Sequence, residues 1–436
     1  MIAKTPAVPD ALARILASPR FAASLTHVAL GLAFSTHLLR SVMGWPGLLA
    51  ALVTLALLAA SSLVVRRSSI EWHGILPISI LVFVAWCALS SVWSAYPLRT
   101  LAGVGYQLAF AVLAMYIALV RDTIQVVRAT GDVLRLLLGV SLALEVLSGL
   151  LLDLPISFLG IQGNIAVLGP IQGIFGSRNV LGLISLLAAV TFVVELRARS
   201  VRRGKGLASL GLAAAGLLLT HSPVVLLVTL AVGAAALALY VLRRTPVEGR
   251  RMLQLGLLVA GIVAGTAAWF ARARLVEVLN AGSEFGVRYR LWQEMWRLVG
   301  LHPLEGWGWA GTWPAGVTPY GWLEFVTQRE QTSGLNAFLD VYFQVGLVGF
   351  VAFLALVGLA FVRSWLLASN KRTLVHVWPA LILVVLLATS AAESTVLVEF
   401  GWLLLLVCAV KAAQGMSWRS ALRRHEPPPV EPGIAR

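Results

Sequence analysis

Arg288 lies four residues before Trp292 in the stretch Gly286-Val287-Arg288-Tyr289-Arg290-Leu291-Trp292. Trp292, Met295, Trp296 and Val299 then follow the i, i+3, i+4, i+7 spacing of one apolar helical face. That spacing predicts an amphipathic helix with Arg288 on the apolar side, near its start. A guanidinium in that place adds its fork to the positive end of the helix dipole, a combination suited to a phosphate or pyrophosphate. The alternative is an arginine that snorkels toward lipid headgroups. Arg290, Glu294 and Arg297 line the opposite, polar face. A second polar set recurs every four residues, Asn336, Asp340 and Gln344, within an otherwise apolar run. Glu393, Glu399 and the pair Arg178-Asn179 stand at the ends of other apolar runs. Ionisable groups in such segments usually face a bundle interior or a water-filled cavity. Together they predict a polar cavity holding arginines and carboxylates; the competing reading is helix–helix hydrogen bonding without chemistry. Glu145 sits in the middle of a run, where it needs a partner. His221, in Thr220-His221-Ser222-Pro223, reads as a cap, a headgroup contact or a base. His302, before Pro303, reads as a helix-end residue or a substrate contact. Cys87 and Cys408 lie in apolar runs, no His/Cys cluster has zinc spacing, and no nucleotide or hydrolase fingerprint occurs. The sequence therefore predicts neither a metal nor a cofactor.

The elements that must hold these residues are transmembrane helices. Of 436 residues, 59% are hydrophobic and 12% charged, against about 25% charged in soluble domains. The mean hydropathy is +0.87. A soluble enzyme, a disordered chain and a free nucleic-acid binder are excluded. A span needs about 20 apolar residues. Twelve segments qualify: 21–39, 46–65, 74–93, 101–120, 133–152, 179–196, 206–220, 222–242, 253–271, 336–362, 376–392 and 395–413. The pairs 206–242 and 376–413 read either as two tight spans each or as one long span with a re-entrant piece. With the N-terminus in the cytoplasm, 25 of the 34 Lys and Arg fall on the inner side, as the positive-inside rule requires. Anionic inner-leaflet lipid is their natural partner. The nine outside are Arg40, Arg99, Arg178, Arg272, Arg274, Arg288, Arg290, Arg297 and Arg329. The expected fold is thus an all-α polytopic membrane protein of the plasma (inner) membrane, with both termini cytoplasmic. Its parts are a cytoplasmic N-terminus (1–20), spans one to nine (21–271), an extracytoplasmic loop (272–335), spans ten to twelve (336–413) and a disordered cytoplasmic tail (414–436). The loop holds six tryptophans, Trp292, Trp296, Trp307, Trp309, Trp313 and Trp322, which suit a folded interfacial layer. A second outer segment, 153–178, is rich in Gly, Pro and Ile.

Five segments resemble the bacterial O-antigen ligase and polysaccharide polymerase superfamily. Gly286-Val-Arg288-Tyr-Arg-Leu-Trp292 followed by His302-Pro-Leu-Glu-Gly-Trp-Gly308 is similar to its outer-loop signature. Leu335-Asn336-Ala-Phe-Leu-Asp340, continued by Gln344-Val-Gly346-Leu-Val-Gly349, resembles its span after that loop. Trp93-Ser94-Ala-Tyr-Pro97, Gly173 to Gly182 and Ala392-Glu393-Ser394 with Trp402 resemble three further motifs. The resemblance implies a GT-C-like membrane glycosyltransferase fold. It implies metal-independent transfer of a glycan from an undecaprenyl-pyrophosphate carrier to a glycan or lipid acceptor, outside the plasma membrane. Membrane lipids and other polysaccharide assembly proteins are the further partners; nucleic acid is not. Arg288 matches the arginine that would hold the pyrophosphate. Two positions depart from the pattern. Leu335 stands where ligases carry His, and Pro223 stands where many members carry Arg. Asp340, Glu393 and His221 are the candidates for the acceptor-side base, with Asp340 preferred, and Arg178 is the candidate replacement cation. Arg290, His302 and Asn336 are further substrate contacts on this resemblance. Polymerase and ligase remain open, as do a transporter and a non-catalytic assembly partner.

Overall fold

The computed structural model describes residues 10–68, 78–271, 274, 277, 282–371 and 373–415. The Pro-rich tail and the first part of the 272–335 loop lie outside these. The described chain is helical, with no strand beyond an isolated bridge between Ile156 and Ile161. The long helices are α1 (Asp10–Leu16), α2 (Pro19–Phe34), α3 (Thr36–Val65), α4 (Ile78–Leu89), α5 (Pro97–Val120) and α6 (Thr123–Val146). There follow α7 (Arg178–Arg197), α8 (Arg203–Leu219), α9 (Pro223–Arg244), α10 (Val247–Phe270), α11 (Gly282–Val299), α12 (Tyr320–Thr327), α13 (Ala337–Asn370), α14 (Val377–Thr389) and α15 (Glu399–Gly415). The apolar segments read from the sequence fall on helices, with exceptions at their bounds: 21–39 covers α2 and runs past Ser35 into α3, and the first residues of 74–93 lie outside the described residues. Six are long and apolar enough to cross a membrane: α3, α5, α6 with its extension to Leu152, α7, α9 and α13. The apolar stretches Ile78–Val92 and Leu374–Thr389 are shorter.

Both ambiguous pairs are separate helices. The break between α8 and α9 falls at Thr220–Ser222, where Ser222 caps α9 by accepting from Val225 N at 3.2 Å. The break between α14 and α15 carries Glu393. Large side chains such as Leu230, Leu237, Leu258 and Ile262 are more than half exposed. In a hydrocarbon setting such faces meet lipid tails and cost nothing.

Basic residues gather at one end of the bundle. There Arg66 donates to the Ala17 carbonyl at 2.7 Å and Arg243 to that of Lys371 at 2.8 Å. Arg135 pairs with Asp132 at 2.9 Å and with Glu195, and Lys205 reaches Asp132 at 3.0 Å. The opposite end carries the long loops, each fixed by a buried polar group. Glu145, 1% exposed, accepts from the backbone N–H of Gln172 and Gly173 at 3.1 and 2.8 Å. The mid-run carboxylate is thus a tie for the 153–177 loop.

The larger loop is a folded layer with its own core. Leu291, Met295, Leu298 and Val299 of α11 pack with Trp313, Tyr320, Leu323, Leu339 and Phe343. The inward stripe is turned by about one residue from the expected one. Leu291 and Leu298 are buried, whereas Trp296 is 59% exposed and meets the Tyr342 ring edge-on at 5.7 Å. Arg288 is on the inward side, as the spacing predicts, and is 8% exposed. It lies almost two turns into α11, beyond the reach of the dipole at the helix start.

Helix α13 is interrupted at Val345 and Gly346, with Gly346 at φ 65°. The loop around Gly306 and Gly308 enters this gap. Trp307 N and Gly308 N donate to the carbonyls of Phe343 (3.2 Å) and Gln344 (2.7 Å), and Leu347 N donates to that of Pro303 (3.0 Å). A Cβ on Gly346 would strike the Leu304 carbonyl. The His-Pro-Leu-Glu-Gly-Trp-Gly segment is therefore a backbone plug that satisfies groups an unbroken helix would have satisfied itself.

Candidate functional site

The loop-rich end encloses a cavity of about 1090 Å³, walled by α3, α5, α7, α11, the 310–335 loop and the 393–400 turn. Arg288 lines it from α11. Its Nη2 donates to Glu393 Oε1 at 2.9 Å, with side-chain exposures of 9% and 14%. The same oxygen accepts from Asn179 Nδ2 at 2.8 Å. Asn179 Oδ1 in turn accepts from Ser222 Oγ at 2.7 Å. Residues from four segments far apart in the chain thus form one chain of hydrogen bonds, of which Arg288, Glu393 and Asn179 line the cavity. Arg40, Arg99 and Arg329 also line the cavity, as do Glu330 and Glu399. Four of the nine arginines left outside by the orientation bias meet here. Neither Arg99 nor Arg329 makes a salt bridge among the described residues. Leu335, at φ 48°, lines the cavity as well, so the position of the family histidine faces the cavity without an ionisable group.

The other expected site residues stand elsewhere. Asp340 and Gln344 are fully buried and do not line the cavity. Asp340 Oδ1 accepts from Trp313 Nε1 (2.8 Å) and Gln344 Nε2 (2.7 Å), and Oδ2 accepts from Gly334 N (2.9 Å). Gln344 Oε1 accepts from Ala310 N and Gly311 N at 2.7 and 2.9 Å. The polar stripe of α13 is therefore spent on holding the loop that forms the cavity rim, because buried backbone N–H groups need acceptors. Asn336 caps α13, accepting from Phe338 N and Leu339 N at 3.1 Å each, and donates to the Ala391 carbonyl at 3.2 Å. Arg178 opens α7 next to Asn179 but is not among the cavity-lining residues. Arg290 is exposed on the far side of α11 and His221 is exposed at the α8–α9 break, at φ 46°. His302 bonds Glu305 through Nδ1 at 2.9 Å and sits edge-on to Trp307, with ring centroids 4.6 Å apart. None of these three lines the cavity.

Two carboxylates of the loop layer have shifted titrations. The hydrogen bond from His302 is the main reason that Glu305 sits below the ordinary carboxylate range. Glu294 is lowered first by Arg297, which donates at 2.9 Å, and then by Trp322 Nε1 at 3.3 Å. Both are surface pairs of the loop layer, with side chains 26–59% exposed. Among the described residues no group of three or more His, Cys, Asp or Glu could hold a metal ion.

Fold and cavity together define a polytopic helical membrane protein with a charged pocket under a folded loop layer. Residues 207–354 match the family profile described as O-antigen ligase, so that segment is related to the O-antigen ligases. The match takes in α8 to α12 and the first half of α13, hence Arg288, Leu335 and Asp340. Arg178, Asn179 and Glu393 lie outside it. No curated protein matches the chain.

Proposed function

We propose that this protein transfers a glycan from a lipid-linked pyrophosphate donor to an acceptor hydroxyl, as a polymerase or ligase of a surface polysaccharide. The observation that carries the reading is Arg288. It lies in the segment related to the O-antigen ligases, is 8% exposed, and lines the cavity paired to Glu393.

In the reaction the acceptor oxygen forms a bond to the anomeric carbon of the donor sugar while the bond from that carbon to the pyrophosphate oxygen breaks. The acceptor proton passes to a protein base, and the lipid pyrophosphate departs with added negative charge. Arg288 stabilises that charge without a metal, and a preorganised donor of this kind is worth about 10²–10³ in rate. Arg99 and Arg329 take the role that the resemblance assigned to an arginine at position 223. Among the candidate bases, Glu393 is the one in the cavity wall, and Arg288 and Asn179 hold it. Asp340 acts at one remove, by fixing the rim. The chain spans the plasma membrane twelve times, with both termini in the cytoplasm, the basic end inside and the cavity outside.

Leu335 supports a second reading, a relative that binds the lipid-linked glycan without transferring it. Deletion of the gene followed by sizing of the surface polymer tests the assignment. Single lipid-linked repeats accumulate if it is a polymerase, and full-length chains stay on the carrier if it is a ligase. Repeats trapped in the cytoplasm would mark a transporter, and an unchanged polymer would overturn the proposal.

A further inference from the structure

The cavity has a second polar wall, remote in sequence from Arg288. It is built by the starts of α3, α5 and α15. Glu399 opens α15 with a left-handed backbone, φ 52°. A non-glycine residue held there is strained and persists only where its surroundings enforce it. Its Oε2 accepts from Thr36 Oγ1 at 2.6 Å and its Oε1 from Tyr106 OH at 3.1 Å. Arg40 Nη1 lies 3.9 Å from Oε1. The Arg40 guanidinium also stands 5.0 Å over the Trp45 ring, and Trp45 meets Tyr106 edge-on at 6.1 Å. Trp45 is 43% exposed, and Arg40, Trp45, Tyr106 and Glu399 all line the cavity.

The chemistry of this wall is that of a polyhydroxyl ligand with an apolar face. A carboxylate has about four acceptor positions, and the Thr36 and Tyr106 hydroxyls use two. A guanidinium has five N–H donors, and the contact with Glu399 accounts for few of them. Arg40 covers one face of the indole; the rest of the 43% exposed ring offers a flat apolar surface of the kind that covers the C–H face of a pyranose ring. Arg40 and Glu399 cancel in charge, so the wall has no net pull on an anion. Arg99 and Arg329 also line the cavity and make no salt bridge among the described residues.

We propose that Arg40, Trp45, Tyr106 and Glu399 form a saccharide subsite that takes the acceptor glycan, with the sugar ring on Trp45 and its hydroxyls shared between Glu399 and Arg40. The assignment to the acceptor rests on the pyrophosphate reading of Arg288; the saccharide site itself does not.

The test uses the full chain in lipid nanodiscs. The probe is the oligosaccharide repeat released by mild acid from the polymer of the producing cells. Titration calorimetry gives its Kd, and turnover with lipid-linked donor from gene-deleted cells gives separate KM values for donor and acceptor. Trp45→Ala and Glu399→Gln are expected to weaken binding about tenfold or more, equivalent to about 1.4 kcal/mol. They are expected to raise the acceptor KM equally and to leave the donor KM within twofold. Tyr106→Phe removes one hydroxyl only and serves if either of the others fails to fold. No binding by the wild type, or equal Kd for wild type, Trp45→Ala and Tyr106→Phe, overturns the subsite. A donor KM that moves instead of the acceptor KM overturns its assignment to the acceptor. Arg288→Ala is the control: if it keeps full turnover, the pyrophosphate reading fails, and the Kd values still decide the saccharide site.

Discussion

Arg288, Glu393 and Asn179 share one carboxylate oxygen, at 2.9 and 2.8 Å, and their burial sets the price of each. Removing one member of a buried ion pair costs about 3–5 kcal/mol, chiefly because the other charge is stranded. A single Arg288→Ala exchange therefore mixes a folding defect with a catalytic one. The double exchange Arg288→Gln with Glu393→Gln leaves two neutral groups able to hydrogen-bond, so it removes the cation and the candidate base together without stranding a charge. Asp340 supplies the contrast. It accepts hydrogen bonds from Trp313, Gln344 and Gly334, and it is fully buried and does not line the cavity. Asp340→Asn offers fewer acceptors to the same donors and leaves at least one unsatisfied, at about 1–3 kcal/mol. It is expected to lower the thermal midpoint, read by intrinsic fluorescence, while turnover per folded molecule changes less than tenfold. A variant as stable as the wild type with turnover abolished would put Asp340 back in the chemistry.

At the scale of elements, α11 and the interrupted α13 decide where the charged groups go. Helix α11 brings Arg288 to the cavity through Leu291, Met295, Leu298 and Val299. That placement was legible in the sequence, because the apolar spacing fixed the inward side to within one residue. Trp296 was misplaced because a wide aromatic at the stripe's edge serves a lipid or ring contact as well as a core. The interruption at Gly346 was visible only as a Gly-x-x-Gly motif. Its cause, a loop backbone filling the gap, is a contact between segments some forty residues apart, which no local pattern encodes. The polar stripe of α13 was legible as costly, but cost alone did not separate a scaffold from a site. The surface of the layer should respond to pH. Glu294 is held below its unfolded value of about 4.3 by Arg297 and Trp322. A depressed carboxyl adds stability that is present above the unfolded pKa and is lost as the pH falls through the folded one. The midpoint of the wild type is thus expected to drop as pH falls below about 4, and that of Glu294→Gln to drop less. Identical pH profiles would show that this pair carries no linked stability.

For the whole molecule, hydrophobicity and charge separate into distinct jobs. Apolar segments form the bundle, and among the described residues basic groups such as Arg66, Arg135, Lys205 and Arg243 tie helix ends together. Four of the nine arginines that break the bias line a single cavity at the loop-rich end. The orientation arithmetic held that signal, but Arg40, Arg99 and Arg329 are single residues in unrelated segments. Nothing in their neighbourhoods marks them, and only the fold brings them together. Glu399 was noted as an outer-end carboxylate, whereas Trp45 and Tyr106 had no signal beyond being aromatic. The central claim is that this cavity transfers a glycan from a pyrophosphate-linked donor and that Arg288 bears the leaving charge. The most direct measurement is turnover by the purified chain in nanodiscs on lipid-linked repeats from gene-deleted cells, comparing wild type with the Arg288→Gln, Glu393→Gln double exchange at matched folded fraction. The account predicts transfer by the wild type and a loss of about 10²–10³-fold or more in kcat for the double variant. Transfer by the double variant within threefold of wild type would contradict it.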